Sequence, residues 1–119
     1  MAAPSTSSAP TAAGSIVIAY LHNPREKIWG LLLGIDAAGI WLRGVDLRSF
    51  DDWLRGHVAG AEQEIAASTT FYPLARVEKI LLDEVGGGLP SLEQQCITRT
   101  GQSPRALLAP RALQVGEAP

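Results

Sequence analysis

The residues of this sequence that could perform acid–base or metal chemistry are few. Two carboxylate pairs, Asp51-Asp52 and Asp83-Glu84, have the residue types that general acid–base catalysis or metal binding requires. The first pair falls at a predicted helix start and the second at a strand end before three glycines, which are ordinary places for acids that cap helices or contact solvent. We therefore interpret both pairs as structural and not catalytic.

The histidines, the cysteine and the glycine triplet give no stronger indication. His22 and His57 have no serine or carboxylate at a spacing typical of a catalytic triad. Cys96 is the single cysteine, so it forms no internal disulfide, and we interpret it as a small hydrophobic residue. Glycines 86–88 are not followed by the Lys-Ser/Thr of a phosphate-binding loop, which favours a hinge. The sequence predicts no enzyme, no cofactor and no metal site.

Composition indicates one small domain with an ordinary core. The chain has 119 residues, 46 % of them hydrophobic, and ten Lys plus Arg against twelve Asp plus Glu. A net charge of −2 lacks the basic excess of a typical nucleic-acid-binding domain. The N-terminus has no secretory signal pattern, and the apolar run from Ile28 to Ile35 is too short to span a bilayer. We expect a soluble, cytoplasmic protein without membrane contact.

Periodicity predicts five short strands with one helical insertion, which suits a strongly bent small barrel. Residues 1–15 read as a flexible arm because they carry no charge and little apolar surface. The barrel is predicted over 16–85 with its helical insertion at 49–67, and residues 86–119 read as a glycine hinge, short helices and a frayed tail. The predicted strands are Ile16 to His22, Lys27 to Asp36, Gly39 to Leu47, Thr69 to Tyr72 and Arg76 to Glu84.

The second predicted strand is apolar on both faces. Ile28, Gly30 and Leu32 share one face, while Trp29 and its alternate neighbours share the other. Such a strand must be covered twice, once by the core and once by a helix, a terminus or another protomer. Glycines 30 and 34 mark a sharp bend or a close approach of backbones, and Asp36 is expected to accept backbone N–H bonds in the turn to the next strand.

Capping signals predict the helices. Ser49 is a candidate N-cap with Asp52 at the third helical position, and Gly56 and Gly60 indicate either one broken helix or two short helices. Ser91 with Gln94 predicts a second helix running to about Thr100. Ser103-Pro104 predicts a further helical turn ending at Leu108. In the fifth strand, the uneven spacing of Val77 and Ile80 predicts a bulge.

The three tryptophans admit two interpretations. Together with Arg43 they could stack on the bases of a single-stranded nucleic acid. Alternatively Trp29, Trp41 and Trp53 pack together as a second core that seals the helix to the sheet. We favour the packed cluster.

The order of these elements resembles the Sm-like (LSm and Hfq) barrel. Leu21, Gly30, Leu32 and Asp36 match the first Sm motif, and Ile40 and Leu42 continue it into the third strand. Residues 71–80 resemble the second motif in outline, so that the match covers about residues 16–83. SH3-like barrels share much of the same strand pattern.

Two departures from the family concern its nucleotide pocket. An asparagine four residues after the motif aspartate helps Sm proteins to hold a base, and here Ile40 takes that position. Tyr72-Pro73 replaces the arginine-glycine pair that opens the second motif. The resemblance therefore implies the fold more than the activity.

Two functions follow as expectations. The first is a non-enzymatic module that self-assembles into a homo-oligomer or binds a protein partner through the edges of strands four and five. Its expected edge residues are Thr70, Phe71, Tyr72, Val77 and Ile80. The alternative is an RNA-binding protein acting in RNA metabolism, with Arg43, Arg76 and Lys79 contacting phosphates.

Overall fold

Five strands form one antiparallel sheet with short helices in the computed structural model, which describes residues 13–58 and 65–109. The strands are β1 (Ile16–Leu21), β2 (Glu26–Ile35), β3 (Gly39–Asp46), β4 (Ser68–Pro73) and β5 (Val77–Leu82). The helices are α1 (Phe50–Arg55), α2 (Leu92–Thr100) and α3 (Pro104–Leu108), and 3₁₀ turns occupy Leu47–Ser49 and Leu74–Arg76. Hydrogen bonds connect the strands in the order β4-β3-β2-β1-β5, so β4 and β5 are the two ends of the sheet. The predicted mainly β class with small helices is confirmed.

The hairpin of β2 and β3 turns at Asp36. The Asp36 carboxylate accepts hydrogen bonds from Ala38 N at 2.8 Å and from Gly39 N at 3.3 Å, as predicted. Gly30 and Gly44 face each other across the hairpin. A Cβ on Gly30 would lie 2.6 Å from the Gly44 Cα, and one on Gly44 would lie 2.8 Å from the Gly30 Cα. This pair therefore excludes side chains, which confirms the close approach predicted at Gly30.

Gly34 has a different environment from Gly30. A Cβ at Gly34 would meet nothing within 4 Å. The register of β2 against β3 shifts between Leu32 and Gly34, so Leu33 is an extra residue without a partner. Gly34 thus adjoins a strand irregularity, whereas Gly30 marks a close contact of two backbones.

The sheet carries one apolar cluster on each face. We define the inner face as the one whose buried cluster consists of strand residues alone: Val17, Ala19, Leu21, Ile28, Leu32, Ile40 and Leu42. On the outer face, strand residues pack with residues of the helices: Ile16, Trp29, Leu31, Val45, Phe50, Trp53, Leu54, Cys96 and Leu108. Because β2 contributes Ile28 and Leu32 to one cluster and Trp29 and Leu31 to the other, it is covered twice, as predicted.

The helix after β3 is shorter than the predicted insertion and is capped differently. Ser49 is the N-cap residue of α1, as predicted, but the side-chain capping bond lies earlier in the chain, where the Asp46 carboxylate accepts from Arg48 N at 2.9 Å and starts a 3₁₀ turn. Ser49 makes no side-chain capping bond. Asp52, predicted to complete a capping box, forms an ion pair with Arg55 instead. Helix α1 ends at Gly56, and residues 59–64 of the predicted insertion lie outside the described ranges.

The two helices after the glycine triplet begin and end as predicted. Ser91 Oγ accepts from Gln94 N at 3.0 Å, and Gly101 ends α2 with a left-handed φ of 77°. Ser103 caps α3, since its hydroxyl accepts from Ala106 N at 3.2 Å. The predicted frayed tail beyond Ala109 lies outside the described residues.

The last two strands differ from prediction at their ends. Strand β4 is one residue longer at each end than Thr69 to Tyr72, and β5 runs over Val77–Leu82 instead of Arg76 to Glu84. The 3₁₀ turn Leu74–Arg76 takes up the first predicted residue of β5. The predicted bulge is confirmed, because Leu21 pairs with Val77 and Tyr20 pairs with Lys79, which leaves Glu78 as the extra residue.

The end of the predicted N-terminal arm joins the sheet. Gly14 N donates to Leu32 O at 2.7 Å, and Leu32 N donates to Ser15 O at 2.9 Å. Arg105 of α3 also donates through Nε to Gly14 O at 3.0 Å. The rest of the arm, residues 1–12, lies outside the described part of the chain. None of the helices described is long and apolar enough to cross a bilayer.

Candidate functional site

The free edge of β4 is the first candidate surface. In the pairing of β3 with β4, Leu74 N donates to Ala38 O, which fixes the alternation of hydrogen-bonded and non-hydrogen-bonded pairs along the ladder. By this alternation Thr69 and Phe71 direct their backbone N–H and C=O groups away from β3. Within the described ranges β4 has a single neighbouring strand, so these groups lie at the open side of the sheet.

The free edge of β5 also has backbone groups that point away from the sheet. Asp83 N donates to Ile16 O, and by alternation from that pair Ile80 and Leu82 direct their backbone groups away from β1. Val77, before the bulge, also directs its backbone groups away from β1. It lies opposite Leu21 in a non-hydrogen-bonded pair, because the next pair along is hydrogen-bonded from His22 N to Arg76 O. The described sheet therefore ends on two six-residue strands whose outward backbone groups have no neighbouring strand among the described residues.

The predicted edge residues divide into two groups. Phe71, Val77 and Ile80 present backbone groups to the free edges. Thr70 and Tyr72 lie in hydrogen-bonded pairs with β3, and their side chains lie on the inner face, where Tyr72 packs beside the apolar cluster. Burial raises the pKa of the Tyr72 hydroxyl.

The outer face is only partly covered by the helices. Trp29 and Trp53 are fully buried with ring centroids 5.4 Å apart. Trp41, predicted to join them, lies apart and is 50 % exposed. Its ring lies 5.2 Å from that of Phe71, which is 36 % exposed. The prediction of one three-tryptophan cluster is therefore wrong, since the helices pack over Trp29 and Val45 and leave the β3–β4 end of this face open.

Arg76, predicted to contact phosphate, is held by the chain itself. Its guanidinium donates to His22 O at 3.1 Å, to Pro24 O at 2.7 Å and to Glu26 Oε1 at 3.1 Å. It also lies 5.8 Å from the Tyr72 ring centroid. Arg76 thus fastens the turn between β4 and β5 to the turn between β1 and β2.

Arg43 is also engaged within the molecule, whereas Lys79 is more accessible. Arg43 Nη1 donates to the Thr69 hydroxyl at 3.1 Å, and Arg43 Nε is buried without a hydrogen-bond partner among the described residues. Lys79 Nζ lies 4.7 Å from the Tyr20 ring centroid, and Lys27 Nζ lies 5.1 Å from it. The structure therefore does not bring Arg43, Arg76 and Lys79 together as one phosphate-binding group.

Asp83 has a structural role that its sequence position does not indicate. Its carboxylate accepts from Trp29 Nε1 at 3.1 Å, from Leu92 N at 2.9 Å and from Glu93 N at 2.7 Å. It therefore caps the first turn of α2 and joins that helix to the outer face of β2. Glu84 is exposed, so the two neighbouring acids do not act as a pair.

The other acids and the nucleophile candidates are also in structural contacts. Asp51 accepts from Arg99 Nη1 at 2.9 Å, which joins α1 to α2. His57 packs against Trp53 with ring centroids 4.7 Å apart, and burial lowers the pKa of its imidazole. Burial raises the pKa of the Cys96 thiol, which donates to Gln102 O at 3.5 Å. Among the described residues no three His, Cys, Asp or Glu side chains are grouped as metal ligands.

Comparison with known proteins identifies no relative. No family model matches the chain, and neither a curated protein nor a solved structure matches it. The geometry of the two free edges and of the surfaces beside them is therefore the basis for a functional conclusion.

Proposed function

We propose that this chain is a non-enzymatic small β-barrel module that mediates self-assembly or protein–protein interaction through the edges of β4 and β5. The observation that carries the proposal is the pair of free edge strands at opposite ends of one sheet. Unpaired backbone donors and acceptors at such an edge are the groups that an added strand satisfies. The single, unpaired Cys96 fits the reducing cytoplasm as the compartment.

Two local features of the sheet support the barrel description. The Gly30–Gly44 contact lets the two central strands approach closely at mid-strand, and the bulge at Glu78 adds twist to β5. The Arg76 bonds hold the turn after β4 against the turn after β1. The order of the elements, the Asp36 turn and the one-turn connector between β4 and β5 support the Sm-like resemblance.

Natural edge strands are usually protected by charge, and β4 has little of this protection. Its sequence, STTFYP, contains no charged residue, and its Pro73 lies at the end of the strand. On β5 the charged side chains are Glu78, at the bulge, and Lys79. A neutral edge strand with an exposed aromatic residue is more typical of an interface than of a surface that must stay in water.

The proposal is tested by removing one edge donor at a time. Thr69→Pro deletes an outward backbone N–H of β4 without removing a donor from the β3 ladder, and Thr69→Ala is the matched control that keeps the N–H. Ile80→Pro and Ile80→Ala form the equivalent pair on β5. Size-exclusion chromatography with light scattering should show association of the wild-type chain, which the proline variants lose and the alanine variants keep.

Circular dichroism and the urea midpoint of each variant establish that it is folded. Folded proline variants on either edge with the association state of the wild type would contradict the edge proposal. Because the two edges are tested independently, failure of one variant to fold leaves the other as the test.

A second candidate function, RNA binding, is favoured by the Tyr20 cluster, which we define as Tyr20, Lys27 and Lys79. An aromatic ring between two ammonium groups combines a stacking surface with phosphate contacts. Electrophoretic shifts with single-stranded RNA test it. Sub-micromolar binding that weakens steeply with salt and is lost in Lys27→Gln/Lys79→Gln, but not in the control Arg55→Gln, would place RNA binding ahead of edge pairing.

A further inference from the structure

We infer that a cleft between β3, α1 and α3 binds a small organic monocarboxylate, whose carboxylate pairs with Arg43 and whose apolar body lies along the cleft walls. The Arg43 cleft, as we name it, has a volume of about 310 Å³ and is lined chiefly by Arg43, Trp53, His57, Ile65, Ala67 and Leu107. The inference goes beyond the proposed function, because these residues lie outside the edge strands β4 and β5.

Separate parts of the chain build the Arg43 cleft. Arg43 lies on the outer face of β3, two residues before Val45 of the outer cluster. Trp53 belongs to α1 and Leu107 to α3. Ile65 lies in the segment that leads into β4, and both Ile65 and Leu107 pack against the outer cluster while partly buried. The cleft therefore combines apolar walls with one cationic side chain.

The guanidinium of Arg43 is incompletely satisfied by the described residues. Its Nη1 donates to the Thr69 hydroxyl at 3.1 Å and to Ala67 O at 3.5 Å. Its Nε is buried and has no acceptor among the described residues. A buried donor without an acceptor costs free energy, which an acceptor supplied by a ligand would recover.

The acids of α1 and α2 do not neutralise Arg43, because each of them forms an ion pair with another arginine. These pairs are Asp51 with Arg99, Asp52 with Arg55, and Glu93 with Arg105. Arg43 forms no ion pair with a carboxylate of the described ranges. The cleft thus holds one positive charge that a ligand can neutralise.

Arg48 shows within the same chain how such a charge binds a carboxylate. Its Nε donates to Asp46 Oδ1 at 3.0 Å and its Nη2 donates to Asp46 Oδ2 at 3.2 Å. No described residue accepts from the corresponding Nε–Nη2 edge of Arg43. The two oxygens of a carboxylate fit this edge. The Nη1 contact with Ala67 O is long for a hydrogen bond, so the guanidinium can turn towards a ligand.

The remaining groups of the cleft favour a ligand with one negative charge and an apolar body. Burial lowers the pKa of His57, so near pH 7 its imidazole is neutral and offers one N–H donor without a second positive charge. Ile65, Ala67 and Leu107 offer apolar surface. Inorganic phosphate carries more charge and has no apolar part, whereas a short-chain carboxylate matches both the charge and the walls.

The Arg43 Nε–H resonance in nitrogen–proton NMR spectra of the full chain tests the inference, with its assignment fixed by its disappearance in Arg43→Lys. Hexanoate is the probe. It should shift this resonance saturably, with a Kd of about 1 mM or lower. Hexanol lacks the charge, acetate lacks the apolar chain, and inorganic phosphate lacks the chain and carries more charge. Each of these three should bind at least about tenfold more weakly than hexanoate.

Two variants act on the cleft by different routes, and titration calorimetry compares them. Arg43→Gln removes the charge. Ala106→Leu fills the cleft from an exposed position of α3 without changing Arg43. Each should weaken hexanoate binding by about tenfold or more, while Arg55→Gln, exposed on α1, is the control and should leave it unchanged. Urea midpoints show that each variant is folded, and if one fails to fold the other remains the test.

Four results would overturn the inference. Hexanoate could leave the Arg43 resonance unshifted, hexanol could bind as tightly as hexanoate, or phosphate could do so. Binding that appears only in Glu62→Gln/Glu64→Gln, whose positions lie outside the described residues, would show that the chain's own carboxylates occupy Arg43. The proposed function is judged separately by light scattering. A monomeric chain that binds hexanoate at Arg43 would contradict edge association and keep this inference.

Discussion

Asp83 shows at the scale of a single residue how this fold joins its helices to its sheet. One carboxylate accepts three hydrogen bonds, from the Trp29 indole and from two backbone N–H groups of α2. The sequence marks Asp83 only as the first of two acids before a glycine triplet. Its role could not be read there, because the groups that it binds are brought to it by the loop of residues 84–91 and by the pairing of β1 with β2.

We predict that Asp83→Ala lowers the free energy of unfolding by about 2–3 kcal/mol, since it leaves the N–H groups of the helix start and the indole without their acceptor. Asp83→Asn, which keeps one carbonyl acceptor, should lose less. Urea denaturation followed by circular dichroism measures both. Glu84→Gln, at the exposed neighbouring position, should change stability by no more than about 0.5 kcal/mol. Equal stabilities for Asp83→Ala and Glu84→Gln would refute this account of α2.

His57 gives a prediction about pH. Burial against Trp53 lowers the pKa of His57 below the ordinary value for histidine, so the unfolded chain binds this proton more readily than the folded one. The stability associated with neutral His57 is therefore present above the unfolded pKa and is lost as pH falls below it. Between about pH 8 and about pH 5 the wild type should lose more stability than His57→Gln, as measured by urea midpoints. Parallel losses in the two proteins would show that His57 is not the source.

At the scale of secondary-structure elements, the boundaries of α2 were predictable from neighbouring residues, whereas the requirement for glycine at position 44 was not. Helix α2 begins at Leu92 and ends at Thr100 because Ser91 and Gly101 act on their own neighbours along the chain. Helix α1 begins directly after Ser49, as predicted, but its predicted capping bond is absent, and a 3₁₀ turn that Asp46 caps precedes the helix. The sequence does not mark Gly44, because glycine is needed there only through the close approach of Gly30 on the other strand of the hairpin.

We predict that Gly30→Ala and Gly44→Ala each destabilise the fold by at least about 2 kcal/mol, because a methyl group at either site would overlap the opposite backbone. Gly34→Ala is the matched control in the same strand, where the added Cβ meets nothing within 4 Å. Its effect should stay within about 1 kcal/mol of the wild type. Urea midpoints give the stability of the three variants. A loss of stability in Gly34→Ala equal to that in Gly30→Ala would contradict the close contact at mid-strand.

At the scale of the whole molecule, the sequence predicted five strands but not which part of the outer face the helices cover. Trp41 follows the alternation of β3 correctly, yet its exposure depends on where α1, α2 and α3 lie, which is a property of tertiary packing. Likewise the sequence indicates a free cation at Arg76. In the fold, its guanidinium donates hydrogen bonds to the β1–β2 turn, more than fifty residues earlier in the chain. The strands can be predicted from the sequence, whereas the partners of individual side chains depend on the complete fold.

We propose self-assembly through both free edges, in which β4 of one copy pairs with β5 of another, and mixing the two edge variants tests this pairing most directly. Thr69→Pro keeps an intact β5, and Ile80→Pro keeps an intact β4, so an equimolar mixture retains one functional interface per pair of chains. Light scattering should find each variant monomeric alone, the mixture no larger than a dimer, and the wild type associated beyond a dimer. A wild-type chain that is monomeric at every accessible concentration would contradict self-assembly, and a mixture that stays monomeric while the wild type associates would contradict the pairing of β4 with β5.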